Sequence, residues 1–440
     1  MEATIAEIQI DRYPAYKDSG VEWLGQIPEH WGIKRIKHLF EEINERSDLG
    51  NEELLSVSQY TGVTRKIDKL EEGDLLTNAS TLEGYKKVSV GDLVSNIMLA
   101  WNGSLGFSSF DGITSPAYSI YRVKTEDEKR YFHYLFRTEL YKSEFKRNSS
   151  GVIESRLRLY TDSFFRIESI LPLPEEQIAI ANFLDRKTAL IDQAIGIKEK
   201  QIELLKERRQ ILIHKAVTRG LDQNVKMKDS GVEWIGEVPE GWEVKKVKFL
   251  FTLKGGGTPS KERRDFWDGD IPWVSPKDMK FDFITTTEDF VTMKGLLNSS
   301  SNYIQPNTLL MVVRSGILQR TIPVAISSVG LTINQDMKAF TSLGLITTKY
   351  FFYFIKGNDT FLINDWVKEG ATVESVEAEL LKNGLITLPS MQEQEEIVGH
   401  IENLSDKIAT AISLKEKEIE KLKEYKATLI NSAVTGKIKV

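Results

Sequence analysis

Apolar residues recur at heptad spacing along two long stretches of this chain, and in the same phase in both. Over residues 175–218 there is no proline and one glycine. Leu184, Ile191, Leu205 and Leu212 form one row there, and Ile195, Ile202 and Ala216 a second. Further on, Ile401, Ile408, Leu422 and Leu429 repeat the first row, with Ile412, Ile419 and Ala433 beside them. Polar interruptions of the seam correspond as well, Lys198 with Lys415 and Arg209 with Lys426. The pattern predicts two long helices packed along a shared seam. Ile191, Ile195, Ile202, Leu205 and Leu212 face Ile408, Ile412, Ile419, Leu422 and Leu429, with charge on every other face. At 1.5 Å per residue, each such helix is roughly 66 Å long.

Outside these stretches the hydrophobic period shortens. Residues 41–175 and 252–392 hold brief β-type runs between turn signals, such as KKVSVGDLVSNIMLAWNG, GDIPWVSPKDM and NTLLMVVRSG. The run at 309–313 reads as one buried strand. Each interior also has an aromatic helical stretch, at 130–145 and 348–361, and ends in a Leu-Pro that leads into its long helix.

The helices belong to a larger repeat. KDSGVEWLGQIPEHWGIKRIKHLF at 17–40 returns as KDSGVEWIGEVPEGWEVKKVKFLF at 228–251, with 15 of 24 positions identical. The interiors between the matched ends barely resemble each other. The chain therefore divides into a frame segment 1–40, an interior domain 41–175, a central helix 176–220, a repeated frame segment 228–251, a second interior domain 252–392 and a terminal helix 393–440. A kept frame with diverged middles describes a pseudo-two-fold scaffold with two different heads. Trp23, Trp31, Trp234 and Trp242 lie in both copies of the frame and read as packing anchors.

Composition narrows the chemistry. With 41% hydrophobic and 28% charged residues in 440, the chain has room for several domains with substantial cores. No cysteine is present, which removes disulfides and thiolate metal sites and fits a reducing cytoplasm. Five scattered histidines give no paired ligand spacing. The start has no apolar run for a signal peptide or membrane span. Pro-Pro is absent, and with it the Asn/Asp-Pro-Pro-aromatic loop of amino-methyltransferases; no Gly-rich cofactor loop or phosphate-binding GxxxxGK[ST] occurs. The expectation is a protein that binds rather than reacts, with no cofactor or metal of its own.

Net charge is −6, yet residues 245–264 carry seven basic residues and one acid. This cluster surrounds Gly255-Gly256-Gly257-Thr258-Pro259-Ser260, whose backbone amides suit close approach to phosphate. Lys261, Arg263, Arg264 and Lys277 are phosphate candidates, with Arg314 and Gln335 as base readers. In the first interior Trp101, Asn102, Arg156 and Arg158, a Trp-Asn-Gly turn and two arginines two apart, suit a loop or strand exposed beside a groove. Trp101 suits a core aromatic equally well, and Gln335 a structural amide.

At this point the residues carry a family resemblance covering nearly the whole chain. The YPAYKDSGVEW at 13–23, Ala100-Trp101-Asn102-Gly103, Ser115-Pro116-Ala117-Tyr118, SSGVIESRLRLY at 149–160 and Pro174-Glu175-Glu176-Gln177 resemble the first half of a type I restriction-modification specificity subunit. Gly256-Gly257-Thr258-Pro259-Ser260, Gly269-Asp270-Ile271-Pro272-Trp273-Val274, Asn334-Gln335-Asp336-Met337-Lys338 and Gln392-Glu393-Gln394 resemble the second. The resemblance implies an α/β (α+β) fold: two globular target-recognition domains joined by two long antiparallel coiled-coil helices. It implies an asymmetric bipartite double-stranded DNA target, two methyltransferase subunits docked on the helices, and two restriction subunits held through them. S-adenosylmethionine, ATP and Mg are then implied for those partners only. The first half departs from the pattern, having Glu41-Glu42-Ile43-Asn44 where the second has its Gly-Gly-Thr-Pro loop. The alternative reading is a structural coiled-coil adaptor without sequence-specific DNA binding.

Overall fold

The structure is a computed structural model that describes residues 11–69, 79–368 and 373–440. The chain folds as two compact units, Met1–Lys198 with Lys417–Val440, and Glu199–Glu416.

In the first unit the frame segment makes a hairpin, Tyr16–Asp18 with Gln26–Pro28, and a strand Gly32–Arg35 that pairs with Glu168–Leu171. The interior is built on an antiparallel four-stranded sheet in the order Phe40–Ile43, Tyr118–Val123, Leu93–Asn96, Leu105–Phe107. The helices Lys129–Leu135 and Glu139–Arg147 pack on it. They break where Thr138 turns from one to the next, its side chain accepting the Tyr141 N–H at 3.3 Å. Trp31, Phe40, Tyr131, Phe132, Phe136 and Phe145 are fully buried in the resulting core.

The second unit repeats this plan with other residues. Met227–Asp229 pairs with Glu237–Pro239, and Glu243–Lys246 with Leu385–Leu388. Its sheet runs Phe251–Gly255, Met337–Ser342, Leu309–Val312, Val324–Ser327, with Phe283–Ile284 added at the edge. Strands Leu93–Asn96 and Leu309–Val312 are buried along their whole length, as central strands must be. One helix, Thr348–Trp366, kinked at Asn358, stands where the first unit has two.

The long helices span Pro174–Arg219 and Met391–Val434. Within the first unit they run antiparallel: Asp192 pairs with Lys426 at 2.7 Å, and Lys198, further along, with Glu418 at 2.6 Å. Ile191, Ile202, Ile408, Ile419 and Leu429 are buried, while Ile195, Leu205, Leu212, Ile412 and Leu422 are half-buried. Each helix end is tied down by a buried tyrosine. Tyr131 donates its hydroxyl to Val434 O at 3.0 Å, and in the second unit Tyr350 donates to Val217 O at 2.9 Å.

One expectation fails here. The faces outside the seam are not charged throughout, because Leu190, Ile197, Leu204 and Ile211 form another row at heptad spacing on the first long helix, 45 to 55% exposed. The matching positions of the second are Lys407, Leu414, Lys421 and Thr428, so this row belongs to one helix only.

Candidate nucleic-acid interface

Strand register decides which loops meet. In the second unit Gly255 pairs with Lys338, and Met337 with Val312. The loops 256–260, 334–336 and 313–315 therefore leave the sheet at one end. Their contacts are dense: the Gly257 N–H donates to Ile333 O at 2.9 Å, the Thr258 hydroxyl to Gln335 Oε1, and Trp273 Nε1 to Gly257 O at 2.9 Å. A Cβ on Gly256 would lie 2.0 Å from Ile333 O, and one on Gly257 2.3 Å from Ser300 Oγ. These glycines let two loops touch. The Gly257 amide, expected to be open to phosphate, is instead committed inside the protein.

Arg314 projects from the same end, exposed, its backbone bridged to Ser375. Gln335 is exposed, but both ends of its amide are engaged, the oxygen by Thr258 and Nε2 by Asp336 at 3.3 Å. The cations differ in how free they are. Arg263 holds Asp265 through Nε and Nη2, both at 2.9 Å, and caps the Phe266 ring. Lys277 pairs with Glu288 and Asp289 at 3.0 Å each, which raises its pKa. Lys261, Arg264 and Arg314 have no ion-pair partner among the described residues and are exposed.

The first unit presents its candidates at the corresponding sheet end. Ile43 pairs with Ile120, and Tyr118 with Asn96, so the turn that follows Asn96 lies beside the 115–117 loop. Trp101 sits in a single 3-10 turn, Ala100–Asn102, closed by Gly103 at φ 95. Its ring packs against the core, its Nε1 donates to Met98 O at 2.9 Å, and the Lys146 ammonium stands 5.3 Å from the ring centroid. Asn102 accepts from Ser104 at 3.0 Å. Arg158 is bonded to Ser150 through backbone, and Leu159 N–H reaches Ile97 O at 2.8 Å, which draws Arg156 and Arg158 alongside the Trp101 turn. Neither arginine has an ion pair among the described residues. Sequence reasoning missed Lys146, which links the turn to the loop by pairing with Glu154. The signal that could have found it is the local basic excess over 142–158, where Lys142, Lys146, Arg147, Arg156 and Arg158 outnumber Glu144 and Glu154.

Of the frame tryptophans, Trp31 and Trp242 are buried. Trp23 meets Tyr141 edge-on at 5.0 Å, and Trp234 stacks on Phe361 at 5.4 Å. Among the described residues no cluster of metal-binding side chains forms, and no helix is long and apolar enough to cross a membrane.

Residues 239–424 match the family model of the Type I restriction modification DNA specificity domain. The chain is similar to type I restriction enzyme specificity subunits. It is 31% identical over 261 residues to the EcoR124I/EcoR124II specificity subunit of Escherichia coli, covering 56% of this chain and 59% of that one. With the MjaIX specificity subunit of Methanocaldococcus jannaschii the match is 31% over 180 residues and spans 40% of that protein. With the putative MjaX subunit of the same organism it is 23% over 444 residues, 95% of this chain and 96% of that one. A chain of a solved type I R-M system superposes with a TM-score of 0.69 at 14% identity, covering 93% of this chain and 98% of that one. The HsdS subunit from Thermoanaerobacter tengcongensis superposes at 0.55, also at 14% identity, with the same two coverages. These two likenesses concern the fold.

Proposed function

We propose that this chain reads an asymmetric bipartite double-stranded DNA target, one half through the interior 41–175 and the other through 252–392. The carrying observation is that one strand order recurs in both units yet brings different side chains to the same sheet end. Trp101, Asn102, Arg156 and Arg158 stand in one; Lys261, Arg263, Arg264, Lys277, Arg314 and Gln335 in the other. Equivalent platforms with unlike donors are what two readers of different base sequences require. Lys261, Arg264, Arg314, Arg156 and Arg158, without an ion pair among the described residues, take phosphates or guanine edges first.

Two methyltransferase subunits dock along the long helices and hold two restriction subunits in turn. The exposed Leu190 and Ile197 in the first unit, and Leu204 and Ile211 in the second, offer apolar anchors to helical partners. Partners closing on the duplex supply much of the phosphate grip that a chain of net charge −6 lacks. Catalysis then lies with those partners, which bind S-adenosylmethionine, ATP and Mg, and the assembly works in the cytoplasm. Methylome sequencing of a host with and without this chain tests the reading. Modification at a split motif that depends on the chain is expected, and exchanging 41–175 for a relative's interior should change one half of it. Both halves changing together would refute the two-head assignment.

A further inference from the structure

The loop 149–159 of the first unit is closed at its base by two backbone bonds of 2.9 Å, Ser150 N–H to Arg158 O and Arg158 N–H to Ser150 O. Inside it Arg156 N–H donates to Ile153 O at 2.9 Å and Leu157 N–H to Glu154 O at 3.1 Å. Gly151 permits the closure, since a Cβ there would lie 2.5 Å from Arg156 O. Glu154 is held by Lys146, and Leu159 fixes the loop to Ile97 beside the Trp101 turn. So fixed a backbone has given up its ordering entropy before any ligand arrives. Its tip is nevertheless apolar, with Val152 97% exposed and Ile153 55%. The exposed Arg156, without an ion pair among the described residues, stands next to them.

We propose that Val152 and Ile153 form a contact for the 5-methyl group of a thymine in the major groove of the first half-site. The inference rests on the reading of the chain as a DNA specificity subunit. Charge selects the occupant: an apolar tip flanked by Arg156 and Arg158, neither with an ion pair among the described residues, matches a polyanion better than an apolar protein face. The groove follows from the pairing of chemistries, because the thymine methyl is displayed only in the major groove, where a guanidinium also finds guanine O6 and N7.

The test uses the full chain assembled with its methyltransferase partner. Once its methylated motif is known, each thymine of the first half-site is replaced in turn by deoxyuridine, and binding is measured for the unmutated protein and for Val152→Ser. One deoxyuridine should weaken the unmutated complex about fourfold, the ratio that corresponds to burying one methyl-sized group. Val152→Ser should lose a similar factor on thymine DNA and nothing further on that deoxyuridine duplex, since the two changes remove one contact. The deoxyuridine series on unmutated protein stands even where the variant misfolds. A first half-site without thymine, deoxyuridine duplexes that all bind as well as thymine DNA, or losses that simply multiply would overturn the proposal. An unmutated complex that binds no motif would refute the DNA reading itself.

Discussion

The side-chain carbonyl of Gln177 accepts the backbone N–H of Glu128 at 2.9 Å, while its amide donates to Asp127 Oδ1 at 2.7 Å and Pro172 O at 3.0 Å. Gln394 repeats the clasp in the second unit, accepting from Thr347 N–H at 2.8 Å and donating to Leu345 O and Pro389 O at 3.1 Å. Both side chains are fully buried and fasten the start of a long helix to the loop before the aromatic helix. Truncation takes the partner from a half-buried N–H and from a buried carbonyl, Pro172 O in one unit and Pro389 O in the other. Gln177→Ala should therefore destabilise its unit by about 3 kcal/mol, and Gln394→Ala the other. Hydrogen exchange in denaturant, read unit by unit, checks this, with the exposed Glu175→Ala expected within about 0.5 kcal/mol of the unmutated protein.

Glycines divide into two kinds with opposite expected signs. Gly256→Ala drives a Cβ into Ile333 O and Asn334 O, at 2.0 and 2.2 Å, and should cost the second unit about 1–3 kcal/mol. Methylation of the target should fall with it. Gly196 and Gly399 lie inside the long helices with nothing within 4 Å of an added Cβ. Alanine at either should stabilise by about 0.8–1 kcal/mol in the same unfolding measurement.

The ion pairs sort the basic candidates by their effect on salt dependence. In the assembled complex, Lys261→Ala should weaken binding across sequences and reduce the slope of log K against log salt by about 1. Lys277→Ala should leave that slope nearly unchanged, because Glu288 and Asp289 already neutralise the ammonium. Equal slopes for both variants would contradict the distinction.

Burial, and then the neighbouring guanidinium of Arg137, push the pKa of His133 down to about 4 from an ordinary 6.5. Between those values the unfolded chain binds more protons than the folded one. Stability is complete above pH 6.5, declines as pH falls through the window, and the loss is finished below about 4. The whole effect is roughly 3 kcal/mol at most. His133→Gln should flatten the stability profile of the first unit between pH 6.5 and 4, as measured by denaturant midpoints.

The long helices were legible because their heptads repeat in phase, and the expected 175–218 lies within Pro174–Arg219. Their solvent faces were not. A row such as Leu190, Ile197, Leu204 and Ile211 has the same period as the seam, and period alone does not say which row is covered. The shared sheet was invisible for another reason. Strand order resides in backbone pairing, which accepts LVSN in one centre and LLMV in the other as long as both are buried. At the candidate interface the glycines read as phosphate approaches, whereas the residues that constrain them, Ile333 and Ser300, lie far along the chain. Gln177 and Gln394 appeared only as family motif letters. A glutamine in the first turn of a charged helix resembles a solvated residue until its burial is known.

Trp242 gives its indole N–H to Glu393 at 3.2 Å, but among the described residues Trp31 Nε1 has no partner. The matching carboxylate, Glu176, has turned to His30, 2.9 Å away, where the second copy has Gly241. One copy of the frame thus gives its carboxylate to an indole in the interior, and the other to an imidazole at the rim. The descendants of a single frame have come to spend one carboxylate in two ways, and the stability of His30→Gly against the unmutated chain would measure what the rim contact contributes to the first unit.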